Sequence, residues 1–143
     1  MKFGTKDSFL EDFYHFYTLQ QSFIKKRLKK IQLTVPQARS LNYIFLHQGT
    51  IQKELASYLD KQNATITNLL KSLEKNDYII RKIPDDNERQ KKLFLTEKGL
   101  HTVAEIQIIF IDLEEKIEQL ISVQEKDSFA HILKKVTHNF LEK

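Results

Sequence analysis

Gln62, Asn63, Thr65 and Asn68 are short polar side chains clustered within seven residues. An Asn or Gln amide sets an acceptor beside a donor, which matches the adenine edge in the major groove of duplex DNA. Threonine offers a methyl to thymine, or a hydroxyl to a base or phosphate. The set suits an AT-containing site. A plainer role is also open, with Asn63 a helix cap and Thr65 and Asn68 a solvated face. Thr67, between them, suits inward packing or local backbone bonding as well as contact. The cations that follow tilt the balance towards DNA. Arg81, Lys82, Arg89 and Lys91 gather charge around a hairpin tip, and Arg89 is the side chain suited to enter a narrow minor groove. Arg89 can also bridge Asp85, Asp86 or Glu88 and hold the hairpin in shape, and the two roles are compatible. Asp86 and Glu88 speak against a simple phosphate clamp. Arg39, Lys53 and Lys71, with Arg81, Lys82 and Lys91, are candidates for phosphate contacts, which position a protein without specifying sequence.

The elements that must hold these residues are legible from periodicity. Phe9, Phe13, Phe16, Tyr17, Phe23 and Ile24 predict a first helix over 7–30, its last turn basic, as suits the helix dipole. Thr34 is placed to cap a second helix with Pro36 in its first turn, an apolar stripe of Ala38, Leu41, Ile44 and Phe45, and Gly49 as its stop. Thr50 is placed to cap a third, with Leu55, Ala56 and Leu59 inward. Residues 60–62 turn the chain into a fourth helix over 63–75, with Ile66, Leu69, Leu70 and Leu73 inward and Asn76-Asp77 as its stop. Residues 78–83 and 91–95 read as strands around the polar tip Pro84-Asp85-Asp86-Asn87. A fifth helix follows Thr96, with so little polar face between Ile106 and Ile111 that burial on several sides is expected. A sixth spans 125–140, with Phe129, Ile132, Leu133, Val136 and Phe140 on one stripe. The expected fold is all-α with a small β-wing, an α+β winged helix-turn-helix of six helices and a two- to three-stranded wing. Residues 35–96 would bind DNA and residues 1–34 and 97–143 would form a helical dimerisation region, one compact domain overall. The first, fifth and sixth helices hold more apolar surface than one winged core covers, so symmetric pairing is expected.

Bulk properties bound the rest. A chain of 143 residues with 41% hydrophobic content, three glycines and two prolines favours a helical globule. The formal charge of +4 is uneven: seven basic and three acidic residues over 1–34, ten and seven over 35–95, six and nine over 96–143. A basic front and centre fits nucleic-acid contact. The absence of cysteine excludes disulfides, thiolate chemistry and cysteine-ligated metals. The leading residues lack a signal-peptide core and no apolar run is long enough to cross a bilayer, so the chain is expected in the cytoplasm with no membrane partner.

An ordered set of motifs runs through Leu33-Thr34-Val35-Pro36-Gln37, Gln52-Lys53-Glu54-Leu55-Ala56, Ala64-Thr65-Ile66-Thr67 and Leu73-Glu74-Lys75. It continues through Ile79-Ile80-Arg81 and Arg89-Gln90-Lys91 to Leu95-Thr96-Glu97-Lys98-Gly99. With these, close to half of the chain resembles the MarR family of winged-helix transcriptional regulators. The resemblance implies a homodimer, joined through the first, fifth and sixth helices, on an inverted-repeat operator. The fourth helix would lie in the major groove and the wing in the minor groove. It implies repression, and release by a small phenolic or amphipathic ligand. Arg89 takes the position of the family's wing-tip arginine. The family usually has an aspartate two residues earlier; here it is Asn87, which can orient the guanidinium only without charge assistance, unless Glu88 or Asp86 substitutes. Asp77 stands where the family generally has glycine, and Lys61 where an apolar residue is common.

Other chemistries find little support. His15, His47, His101, His131 and His138 are widely spaced and form no chelating pair, so no metal or cofactor is expected. No nucleophile–base set or phosphate loop suggests an enzyme. Tyr14, Tyr17, Tyr43 and His47 are candidates for an effector crevice taking a small aromatic or amphipathic ligand, or else tyrosines packed at a dimer interface. The same sequence features suit two rival functions: a winged-helix module that binds protein, and an architectural DNA binder without sequence preference.

Overall fold

The computed structural model describes residues 4–83 and 90–141. Along the chain lie α1 (Phe9–Lys30), α2 (Val35–Leu46), β1 (Thr50–Ile51), α3 (Gln52–Leu59), α4 (Asn63–Lys75), β2 (Ile79–Lys82), β3 (Lys92–Leu95), α5 (Glu97–Glu118) and α6 (Val123–Leu141). The architecture is a winged helix-turn-helix of the expected α+β class. Its sheet is antiparallel, in the order β1-β3-β2. The chain divides into two compact units, residues 1–109 and 110–143. Among the described residues no helix is long and apolar enough to cross a membrane.

In the first unit, side chains closing on backbone set the element ends. The Thr34 hydroxyl accepts from the Gln37 N–H at 3.3 Å while the Gln37 amide oxygen accepts from the Thr34 N–H at 2.9 Å, so α2 starts where the sequence predicts. Thr96 caps α5 by accepting from the Gly99 N–H at 3.0 Å, and its hydroxyl also donates to the Asp77 carbonyl at 2.6 Å. Gly99 is there because space requires it: a Cβ would collide with the Tyr78 carbonyl. Beneath these ends lies one core, with Leu28, Leu41, Ile44, Leu55, Ile66, Leu70, Leu73, Leu93 and Ile106 essentially inaccessible. Ile66, Leu70 and Leu73 recur at helical spacing, so α4 turns one face inward and leaves the other to solvent.

Several expectations need correction. Thr50 lies in β1, paired with Leu93, and Ile51 holds the cap position of α3. The Thr50 hydroxyl instead meets the Glu54 carboxylate at 3.1 Å. A β-branched residue opposite Leu93 is better used in the ladder than as a cap. Helix α2 ends at Leu46; Gly49, at φ +89°, serves the turn into β1, where its N–H donates to the Leu93 carbonyl. Phe45 is exposed and Ala56 and Leu69 are only half-buried. The apolar excess expected on the outer helices is present in the single chain: on α5 Ile106 and Ile109 are buried while Ile108 is 58% exposed, and the front of α1 exposes Phe9, Phe13, Phe16 and Tyr17.

In the second unit, α6 begins earlier than expected. The Ser122 hydroxyl accepts from the Glu125 N–H at 3.1 Å and the Glu125 carboxylate accepts from the Ser122 N–H at 2.9 Å. The backbone hydrogen bond from Ser122, then the side-chain one, holds the Glu125 carboxyl below its ordinary 4.5. Lys126 is bonded to Glu118 and also meets Glu114 at 3.2 Å, and these two contacts raise its pKa in that order. No described residue of α6 is buried, and Ile111, at the start of the unit, is 51% exposed.

Candidate nucleic-acid interface

The turn between α3 and α4 is made by Asp60 in the left-handed conformation (φ +53°), which also ends α3. Gln62 then holds the cap position of α4 without a side-chain cap bond. Gln62, Asn63, Thr65, Asn68 and Lys71 are all exposed: Gln62 and Asn63 at the N-terminal end of α4, and Thr65, Asn68 and Lys71 on the side away from Ile66, Leu70 and Leu73. One helix therefore presents the four candidate base-reading side chains together. At its far end Asn76 closes the last turn and Asp77, at φ +62°, takes the left-handed position for which glycine is the easier choice.

Three elements fix the pose of α4. From α2, the Gln37 amide donates to the Ser72 hydroxyl at 3.3 Å. From β2, Arg81 meets Glu74, Nε to Oε2 at 3.3 Å and Nη2 to Oε1 at 3.5 Å. From α3, the Gln52 amide donates to Asn63 Oδ1 at 2.9 Å and to the Thr67 hydroxyl at 2.8 Å, and Thr67 donates in turn to the Asn63 carbonyl at 3.0 Å. Thr67 is thus committed to local bonding, one of the two roles open to it from sequence. Gln52 was legible only as part of a motif; its place in the first turn of the helix before the turn is the signal that puts it beside the start of α4.

Beside α4 opens a groove of about 480 Å³ whose lining includes Gln52, Lys53, Asn63, Arg81 and Lys91. It brings three candidate phosphate contacts and one candidate base reader into one concavity. Arg81 is mostly buried there and paired with Glu74, while Lys53 and Lys91 are exposed. Lys82 lies over the Phe94 ring at 5.2 Å, and Arg39 over the Tyr58 ring at 4.9 Å. Arg89 and Asn87 lie outside the described residues. Of the candidate crevice residues, Tyr43 stacks on Tyr58 at 4.5 Å and meets His47 at 4.4 Å, whereas Tyr14 and Tyr17 stand exposed on α1. No group of three metal-ligating side chains occurs among the described residues.

Fold and groove define a winged helix-turn-helix protein. A MarR family model matches residues 33–91. The HTH-type transcriptional regulator SarZ of Staphylococcus haemolyticus is 32% identical over 139 residues, covering 94% of this chain and 93% of that one. The HTH-type transcriptional regulator YwoH of Bacillus subtilis is 30% identical over 83 residues; the match spans 58% of this chain and only 60% of YwoH. Among solved structures, the Staphylococcus aureus MepR–DNA complex superposes with a TM-score of 0.85 at 23% identity, over 94% of this chain and 99% of that one, a likeness of fold. The chain belongs to the MarR family, whose members are DNA-binding, non-catalytic transcriptional regulators.

Proposed function

We propose that this chain is a sequence-specific regulator of transcription, a cytoplasmic repressor that binds an inverted-repeat operator as a homodimer. The observation that carries the reading is the exposure of Gln62 and Asn63 at the start of α4 and of Thr65 and Asn68 on its outer side, on a helix held by three separate elements. A helix presented in this way suits the major groove. Gln62, Asn63, Thr65 and Asn68 read bases, Lys53, Lys71, Lys82, Lys91, Arg39 and Arg81 serve the phosphates, and Arg89, oriented with help from Asn87, enters the minor groove. The exposed apolar residues of α1 and α6 support a division of labour in which 1–34 and 97–143 pair two copies around residues 35–96. A small aromatic ligand, received around Tyr43 and His47 and, in the assembled dimer, Tyr14 and Tyr17, releases the DNA.

The test is selection on a random duplex library, with anisotropy titration of the winner at low and high salt. Enrichment of an inverted repeat, at least ~10³-fold preferred over a scrambled duplex, supports the reading. Weak, salt-dependent binding with no enriched site turns it towards an architectural binder. No duplex binding at all turns it towards a protein-interaction module.

A further inference from the structure

The Gln52–Asn63–Thr67 network bears on what the interface can read. Gln52 has two amide protons; the amide nitrogen donates to Thr67 Oγ1 at 2.8 Å and Asn63 Oδ1 at 2.9 Å, with the Asn63 carbonyl a longer contact at 3.3 Å. The Thr67 proton goes to the Asn63 carbonyl at 3.0 Å. Every donor in the cluster is therefore spent, save the amide protons of Asn63 itself. Among the described residues Asn63 Nδ2 has no partner, and Asn63 is exposed in the groove beside α4. A free Asn pairs with adenine through both halves of its amide, accepting from N6 and donating to N7. An Asn whose oxygen is already engaged has its donor half left to offer.

We infer that Gln52 is a specificity-determining positioning residue: by holding Asn63 Oδ1 it makes Asn63 a hydrogen-bond donor to the major groove, selecting a base that presents acceptors. Guanine, through O6 and N7, thymine, through O4, and adenine, through N7, answer that description, and cytosine, whose groove edge carries only a donor, does not. Gln52 touches no base in this scheme; it acts through the orientation of Asn63. The inference rests on the DNA-reading function proposed above.

Gln52→Glu tests it by reversing the polarity of the contact. A carboxylate in that place can only accept, so Asn63 turns to donate to it and presents its oxygen to the groove instead. The added charge lowers affinity for every sequence alike, so base preference is the readout. In parallel library selections with the whole chain, the wild type is expected to exclude cytosine at one position of each half-site. Gln52→Glu is expected to shift that position by roughly tenfold towards cytosine and away from guanine and thymine, with adenine tolerated by both and other positions unchanged. Gln52→Ala, which frees the Asn63 amide, and Asn63→Asp, which keeps the acceptor for Gln52 but removes the donor, are expected to flatten the same position. If Gln52→Glu fails the thermal-melt control for folding, these two variants decide. Retention of the wild-type preference at every position in the folded variants overturns the role of Gln52 while leaving the regulator reading intact. Failure of the wild type to enrich any site overturns the regulator reading, and this inference with it.

Discussion

Lys71 and Asn68 stand less than one turn apart on the exposed side of α4, yet they should answer to different experiments. Asn68 carries an amide that can tell one base edge from another, so Asn68→Ala is expected to relax preference at one base pair and weaken the best operator by about 1–3 kcal/mol. Lys71 carries a point charge suited to a phosphate. Lys71→Ala is expected to weaken all duplexes alike and reduce the slope of log affinity against log salt by about one. Anisotropy on matched and mismatched duplexes at several salt concentrations separates the two. Glu125 allows a check of a different kind. Its carboxyl is held below 4.5 by the Ser122 backbone and then its side chain, so the folded group binds its proton less readily than the unfolded one. The stabilisation it lends α6 is therefore complete above the ordinary glutamate range and is lost as pH falls through the lowered value. An NMR titration should find the Glu125 midpoint below that of an exposed glutamate, and Ser122→Ala should move it upward.

At the scale of elements, helices were legible and the small sheet only partly so. The bounds of α4 follow from the spacing of Ile66, Leu70 and Leu73 and from the stop at Asn76-Asp77, because a helix of several turns repeats its signal. β1 holds just Thr50 and Ile51, too few residues for alternation to register, and its identity comes from pairing with β3, over forty residues further along the chain. Thr50 before a helical stripe therefore looked like a cap. Gln52 was missed as a positioning residue for a related reason: its partners lie 11 and 15 residues away, and only the turn geometry brings them to it. The exposure of Thr65 and Asn68 was readable because exposure on a helix is the complement of its buried stripe. Element ends make firm predictions of their own. Thr34→Ala removes a reciprocal cap and is expected to lower stability by about 1 kcal/mol. Gly99→Ala drives a methyl into the Tyr78 carbonyl and is expected to cost about 1–3 kcal/mol, despite alanine's better helix propensity. Urea melts of the two variants would rank them in that order.

The molecule as a whole shows apolar side chains to solvent on two of its helices. Phe9, Phe13 and Tyr17 are exposed on α1, and Ile132, Leu133, Val136 and Phe140 on α6, in a chain whose net charge is only +4. An apolar stripe repeated at helical spacing and left open to water is a surface made for another surface. A second copy is the partner that a protein on an inverted repeat needs, since two half-sites read by one symmetric dimer bind far more tightly than either alone. Leu133→Glu sets a charge in the α6 stripe and changes none of the residues that line the groove beside α4. If α6 pairs copies, sedimentation of this variant should report monomer where the wild type reports dimer. Its affinity for a single half-site should be unchanged while that for the full inverted repeat falls by roughly 10²-fold or more. A variant that stays dimeric and keeps full-operator affinity would remove α6 from the dimer interface, and the pairing surface would then have to be sought on α1 and α5. A variant that turns monomeric yet keeps full-operator affinity would mean that pairing in solution contributes nothing to operator recognition, and the inverted-repeat reading would lose its physical basis.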